Sequence, residues 1–188
     1  MSTKREEIIG HALRLIKHRS FSSFSYEDIS KELKMTKAAV HYHFGKKDGL
    51  GLAVCDVLQT GLIRSYEKCQ NEIKQHKGHP WFFIESRIST IAPDEICPIL
   101  SMQADYENLS VRLREKIEKL SMSELELLER LVKEYAPCSR ADKTVMSTLM
   151  SVKGALQCRR VLGEKIFINA IEDVKNRFYA FVDEEEKN

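Results

Sequence analysis

The stretch Lys34–Phe44, KMTKAAVHYHF, gathers two lysines, two histidines, a tyrosine and a phenylalanine into eleven residues. Placed on a helix starting at Lys37, Val40 and Phe44 stand four apart and share one face. Lys37 and His41 share another, with Ala38 and Tyr42 beside them. That outward face carries one cation, one small residue and two rings with polar tips. A lysine there reaches a phosphate or a guanine edge, and alanine lets the backbone come close. The rings contact thymine methyls or sugars and donate hydrogen bonds. Such a face suits the major groove of DNA. The competing reading is a surface helix with half-buried rings, and the residue types alone leave both open.

Something must hold this helix in place. Ile8, Ala12 and Ile16 form one helical face, flanked by Ile9 and Leu13, in a first helix predicted to end near Lys17–Arg19. A second helix follows, with Ser25 as N-cap, Asp28 completing a capping-box variant, Phe24 stapling Ile29, and Ile29 and Leu33 pointing inward. A break at Lys34–Met35 leads to Thr36, the N-cap of the third helix, with Met35 and Val40 placed as another staple. This is a helix-turn-helix pattern behind a longer first helix. Ser25 and Thr36, at helix starts, would offer hydroxyls and N–H groups to phosphates. Lys46 and Lys47 would clamp the backbone.

The charge distribution agrees with a polyanion partner. Residues 1–50 hold 10 Lys/Arg against 6 Asp/Glu, a net of +4, plus four histidines. Residues 51–188 hold 20 against 22. Only 8 Gly and 4 Pro occur in 188 residues, which favours long helices over turn-rich sheets. No apolar run approaches the roughly 20 residues of a membrane span, and the start MSTKREE is too charged to lead a signal peptide. A cytoplasmic, reducing location is expected. The five cysteines (55, 69, 97, 138, 158) are odd in number and widely spaced, which signals neither a disulfide framework nor a zinc ribbon.

Helical periodicity continues along the chain. A long helix is predicted from Lys47 to about Ile73, a short one over WFFIESRISTI after the break HKGHP, and further helices near 98–109, 110–135 (stopped by Ala136–Pro137), 141–161 and 165–182. The acidic tail DEEEKN is expected to be frayed. The prediction is an all-α chain of about nine helices.

Residues 26–58, YEDISKELKMTKAAVHYHFGKKDGLGLAVCDVL, resemble the DNA-binding segment of TetR-family transcriptional regulators. In that family an Asp-Ile helix is followed by a turn, then Ser/Thr-Lys-x-x-Leu/Val-Tyr-x-His/Tyr-Phe, then a Lys-Asp/Glu-x-Leu helix start. Asp28, Ile29, Thr36, Lys37, Val40, His43, Phe44, Lys47, Asp48 and Leu50 match. The stretch GALQCRRVLGE, before the last helix, resembles the family's usual ending. Two positions depart. Lys34 stands where the family usually has Gly, so a left-handed turn there would cost on the order of 1 kcal/mol. His41 stands where the family often has Tyr, which leaves base preference open and adds a titratable ring.

The resemblance implies a helix-turn-helix DNA-binding domain over residues 1–47 and a helical ligand-binding and dimerisation domain over 48–188. It implies a homodimer joined through the last two long helices, a palindromic DNA operator and a small-molecule effector. A repressor released by that effector, or by thiol modification, is the expected function. His43 joins Ser25, Thr36, Lys37, Ala38, His41, Tyr42, Lys46 and Lys47 in the DNA-contacting set. Trp81, Phe82, Phe83, Ile99, Met102 and Tyr106 are the pocket candidates. Few charges fall on these apolar faces, so an apolar or aromatic effector is favoured, while the same cluster also reads as core. Cys97, in EICPIL, sits near a predicted helix start, where the dipole lowers a thiol pKa. Some electrophile- or oxidant-sensing members look similar there. Arg159 or Arg160 is expected nearby, and an inert buried cysteine is the competing reading.

No cofactor is signalled. His41 and His43 diverge on a helix, and His76 and His79 lack a carboxylate or thiol to complete a metal site. No phosphate loop, nucleophile elbow or acid–base pair marks an enzyme. The alternative is a helical enzyme or interaction module that keeps the helix-turn-helix as scaffold.

Overall fold

A computed structural model describes residues 3–136 and 141–186. Among the described residues there are nine α-helices, two single 3₁₀ turns and no strand. The helices are α1 (Lys4–His18), α2 (Tyr26–Glu32), α3 (Lys37–Phe44), α4 (Lys47–Lys74), α5 (Trp81–Ile88), α6 (Pro98–Ala104), α7 (Val111–Tyr135), α8 (Ala141–Leu162) and α9 (Glu164–Glu186). None is long and apolar enough to cross a membrane. Pro137, expected to stop α7, and Cys138 lie outside the described residues.

The chain divides into two compact units. The first is Met1–Gln59 with Ile96–Leu120, and the second is Thr60–Glu95 with Ser121–Asn188. Both α4 and α7 therefore contribute to each unit.

In the first unit, α1 buries Ile8, Ile9, Ala12 and Ile16, matching its apolar stripe. Thr3 caps it through a capping box with Glu6. The far end of α1 is tied to α6 by polar contacts. The Ile96 N–H donates to the Lys17 carbonyl at 2.7 Å, and the buried Ser101 hydroxyl lies 2.8 Å from the Ile16 carbonyl. The Asp105 carboxylate accepts the Ser22 N–H at 2.8 Å. These contacts explain why α6 packs with the N-terminal helices. They also explain a correction to the helix predicted over 98–109. It stops at Ala104, where Asp105 turns to serve Ser22, and resumes only as a 3₁₀ turn at Tyr106–Asn108.

In the second unit, Trp81 and Phe83 of α5 and Phe178 of α9 are fully buried. Helices α8 and α9 pack together and are joined at Gly163, whose φ of 85° makes the reversal. Charged side chains also enter this core, contrary to the apolar faces expected. Lys153 of α8 meets Glu124 of α7 at 2.6 Å, both nearly sealed from solvent. Buried Arg159 bridges to Glu164 at 2.6 Å, donates to the Ile91 carbonyl, and lies over the Phe167 ring. The last helix runs on to Glu186, so the tail begins helical rather than frayed.

Gly45 closes α3 with φ 61° and ψ −113°, a conformation that residues with a Cβ avoid. Nothing lies within 4 Å of an added Cβ there, so Gly45→Ala tests backbone strain alone. It is expected to destabilise by about 1–2 kcal/mol in urea unfolding. Gly10→Ala, inside α1 and equally open, is expected to stabilise by roughly 0.5–1 kcal/mol.

Candidate nucleic-acid interface

Local chemistry sets α2 and α3. The Ser25 hydroxyl accepts the Glu27 and Asp28 N–H groups, while the Asp28 carboxylate takes the Ser25 N–H at 2.7 Å. The hydrogen bond from Ser25 holds the Asp28 carboxyl below its ordinary value. Lys34 has a φ of 50°, so the turn is left-handed without a glycine. The Met35 N–H then returns to the Ser30 carbonyl at 3.0 Å. Thr36 caps α3 by accepting the Ala39 N–H at 3.1 Å.

The faces of α3 separate. Val40 and Phe44 are buried. Lys37, Ala38, His41 and Tyr42 are exposed, Tyr42 at 87%. A large ring so fully presented, on a helix whose opposite side is core, is unusual for packing alone. Ile29 is buried on α2, while Leu33, expected inward, is half-buried at its end.

His41 is oriented by two contacts. Its Nδ1 lies 2.9 Å from the Gly45 carbonyl, and its ring packs edge-on against Tyr26 with centroids 4.7 Å apart. The Tyr26 hydroxyl donates to the Lys46 carbonyl at 2.8 Å. Burial, then Asp48, pushes the Tyr26 phenol to about 12. His43 is half-buried between the rings of Tyr42 and Phe44. Ser25, Thr36 and Lys46 are exposed around this face.

Lys47 is placed differently from the phosphate clamp expected. Its ammonium donates to the Phe24 carbonyl and sits over the rings of Phe24 and Phe21, at 4.3 and 4.9 Å. Burial pulls its pKa below the usual lysine value. The charge is used to join the 3₁₀ turn to the start of α4. Arg5, outside the set expected from the sequence, is exposed beside α3, its guanidinium 5.2 Å from the Phe44 ring centre. The signal was present in the Lys4–Arg5 pair at the start of α1.

The pocket candidates fall in both units. Trp81, Phe82 and Phe83 belong to the second, with Trp81 and Phe83 fully buried as core. Phe82 lines a cavity of about 340 Å³ between α4 and α5, with Ser65, Lys68, Cys69, Glu72, Glu85, Ser86 and Ser89. Its walls are more polar than the aromatic pocket expected. Cys97, Ile99, Met102 and Tyr106 belong to the first unit. Ile99 and Met102 are buried and Tyr106 half-buried, its hydroxyl on Glu118. Cys97 is the buried N-cap residue of α6. His79 is buried in the second unit. Its ring stacks on Tyr179 at 3.8 Å, and its Nδ1 accepts the Trp81 N–H. Among the described residues no cluster of three His, Cys, Asp or Glu is arranged to hold a metal.

A capped α2, a left-handed turn and an α3 with one buried and one displayed face form a helix-turn-helix unit. Residues 8–54 match the family model of bacterial regulatory proteins of the tetR family. No curated protein matches the chain in sequence. Among solved structures, a TetR regulator from Legionella pneumophila is similar with a TM-score of 0.76 at 21% identity, over 98% of this chain and 97% of that one. A TetR-family regulator from Agrobacterium tumefaciens gives 0.76 at 18%, over 94% and 96%. The reduced form of E. coli NemR gives 0.71 at 18%, over 93% and 96%. The match to the tetR family is confined to the N-terminal segment, while the all-α fold is common to these structures over nearly the full length of the chain.

Proposed function

We propose that the protein binds a palindromic operator as a homodimer and represses transcription until a small ligand, or modification of a thiol, releases it. Residues 1–47 serve DNA, and residues 48–188 serve ligand binding and dimerisation. The observation that carries the reading is the displayed face of α3, with Lys37, Ala38, His41 and Tyr42 exposed over a buried Val40 and Phe44. Ser25, Thr36, Lys46 and Arg5 lie on phosphates around it, His43 steadies Tyr42, and Lys47 supports the scaffold.

Dimerisation is supported by the apolar side chains that α8 and α9 leave exposed, namely Met146, Met150, Val161, Leu162, Ile166 and Ile168. A pair of such helices from each copy makes a four-helix seam. Two α3 helices then meet major-groove faces about 34 Å apart. Ile166→Glu is expected to leave the fold intact and yield a monomer in sedimentation, because a charge is placed in the seam.

Release is a population shift. Helix α4 starts two residues after α3 and runs unbroken into the second unit. A ligand that favours a different setting of α4 draws the recognition helices out of register. The effector is read as apolar or electrophilic, with the Cys97 thiol as the candidate for modification.

The experiment is fluorescence anisotropy against labelled DNA from upstream of the protein's own gene, at two salt concentrations, with random DNA as competitor. Specific binding that weakens with salt supports the reading. Equal affinity for random DNA, there and across a randomised library, overturns it.

A further inference from the structure

The recognition face holds one side chain whose hydrogen-bonding sign is set by the fold. The Gly45 carbonyl is an acceptor, and it lies 2.9 Å from His41 Nδ1. Nδ1 must therefore carry the proton. Gly45 reaches this position because its φ of 61° and ψ of −113° turn its carbonyl back under α3. The Tyr26 ring, edge-on at 75°, fixes the imidazole from the other side. Nε2 is left without a partner among the described residues, on the exposed face beside Lys37 and Tyr42. In the neutral ring Nε2 is an acceptor only.

Building on the proposed DNA binding, we infer that His41 reads the operator through Nε2, which as an acceptor selects an amino-bearing base edge. In the major groove, adenine N6 and cytosine N4 are the amino donors, while guanine offers N7 and O6 as acceptors. No neighbouring side chain among the described residues occupies Nε2. From α2 comes Tyr26, whose phenol stays neutral and donates to the Lys46 carbonyl. From α3 come Lys37, one turn earlier, and His43, whose ring packs on Tyr42 and Phe44. The segment after α3 brings Lys46 and the Gly45 carbonyl. Since the ring is already oriented, the sign of this contact is set before DNA arrives.

The test is selection from a duplex library randomised over about 20 base pairs, long enough for two half-sites one turn apart. The wild-type protein is expected to enrich adenine or cytosine at one position per half-site by about fivefold over guanine or thymine, the worth of one hydrogen bond. His41→Phe keeps the ring and is expected to enrich the rest of the operator with no preference at that position. The same preference retained in His41→Phe overturns the inference. Failure to enrich any sequence overturns the DNA-binding reading itself, and this one with it.

Discussion

Replacing Lys37 and Tyr42 together by alanine is expected to weaken operator binding by about 100-fold or more. A base-edge or stacked contact is worth roughly 1–3 kcal/mol, and a dimer loses each twice. Both side chains are exposed, so unfolding free energy should stay within about 0.5 kcal/mol of the parent. Salt dependence separates the two roles. If Lys37 neutralises one phosphate per half-site, the slope of log affinity against log salt falls by about 2 per dimer. If it reads guanine instead, preference relaxes at one base pair and the slope changes less. Retained operator binding in the double variant would remove α3 as the reading element.

The second large effect lies far from the DNA face in sequence. Glu124→Gln is expected to destabilise the protein by about 3–5 kcal/mol, because it leaves the Lys153 ammonium buried without a counter-charge. The pair is close, at 2.6 Å, but Glu124 Oε2 lacks the angle of a good hydrogen bond. Its attraction is therefore mainly Coulombic and must offset the desolvation of both ions. Removing both charges at once, as Glu124→Leu with Lys153→Met, is expected to be neutral or stabilising. Urea unfolding of the two variants checks this. A loss under about 1 kcal/mol in the single variant would mean that Lys153 reaches water once released.

The helix-turn-helix was legible because its signals are local. Ser25 with Asp28, Thr36 at a helix start, and the Val40–Phe44 spacing each state their own structure within four residues. The left-handed Lys34 was legible as a departure from a resemblance, and the turn indeed carries a positive φ. Lys47 was not, because a flexible side chain at a helix start has two outlets. Only the arrival of the Phe24 carbonyl with two rings decides between them. The break at Asp105 was hidden for the same reason, since its partner, Ser22, is 83 residues away. The burial of Glu124, Lys153 and Arg159 was invisible too. A charge on a helical face reads as solvated until another helix covers it.

Trp81 is the chain's only tryptophan, and it is 1% exposed with its ring 5.8 Å from Phe178. All its neighbours named here belong to the second unit. Its intrinsic emission therefore reports the melting of that unit and is nearly blind to the helix-turn-helix, while far-ultraviolet circular dichroism weighs both alike. Coincident denaturation curves from the two signals would show one cooperative block. A tryptophan transition displaced from the dichroism curve would show that the units come apart in steps, and would give each its own stability.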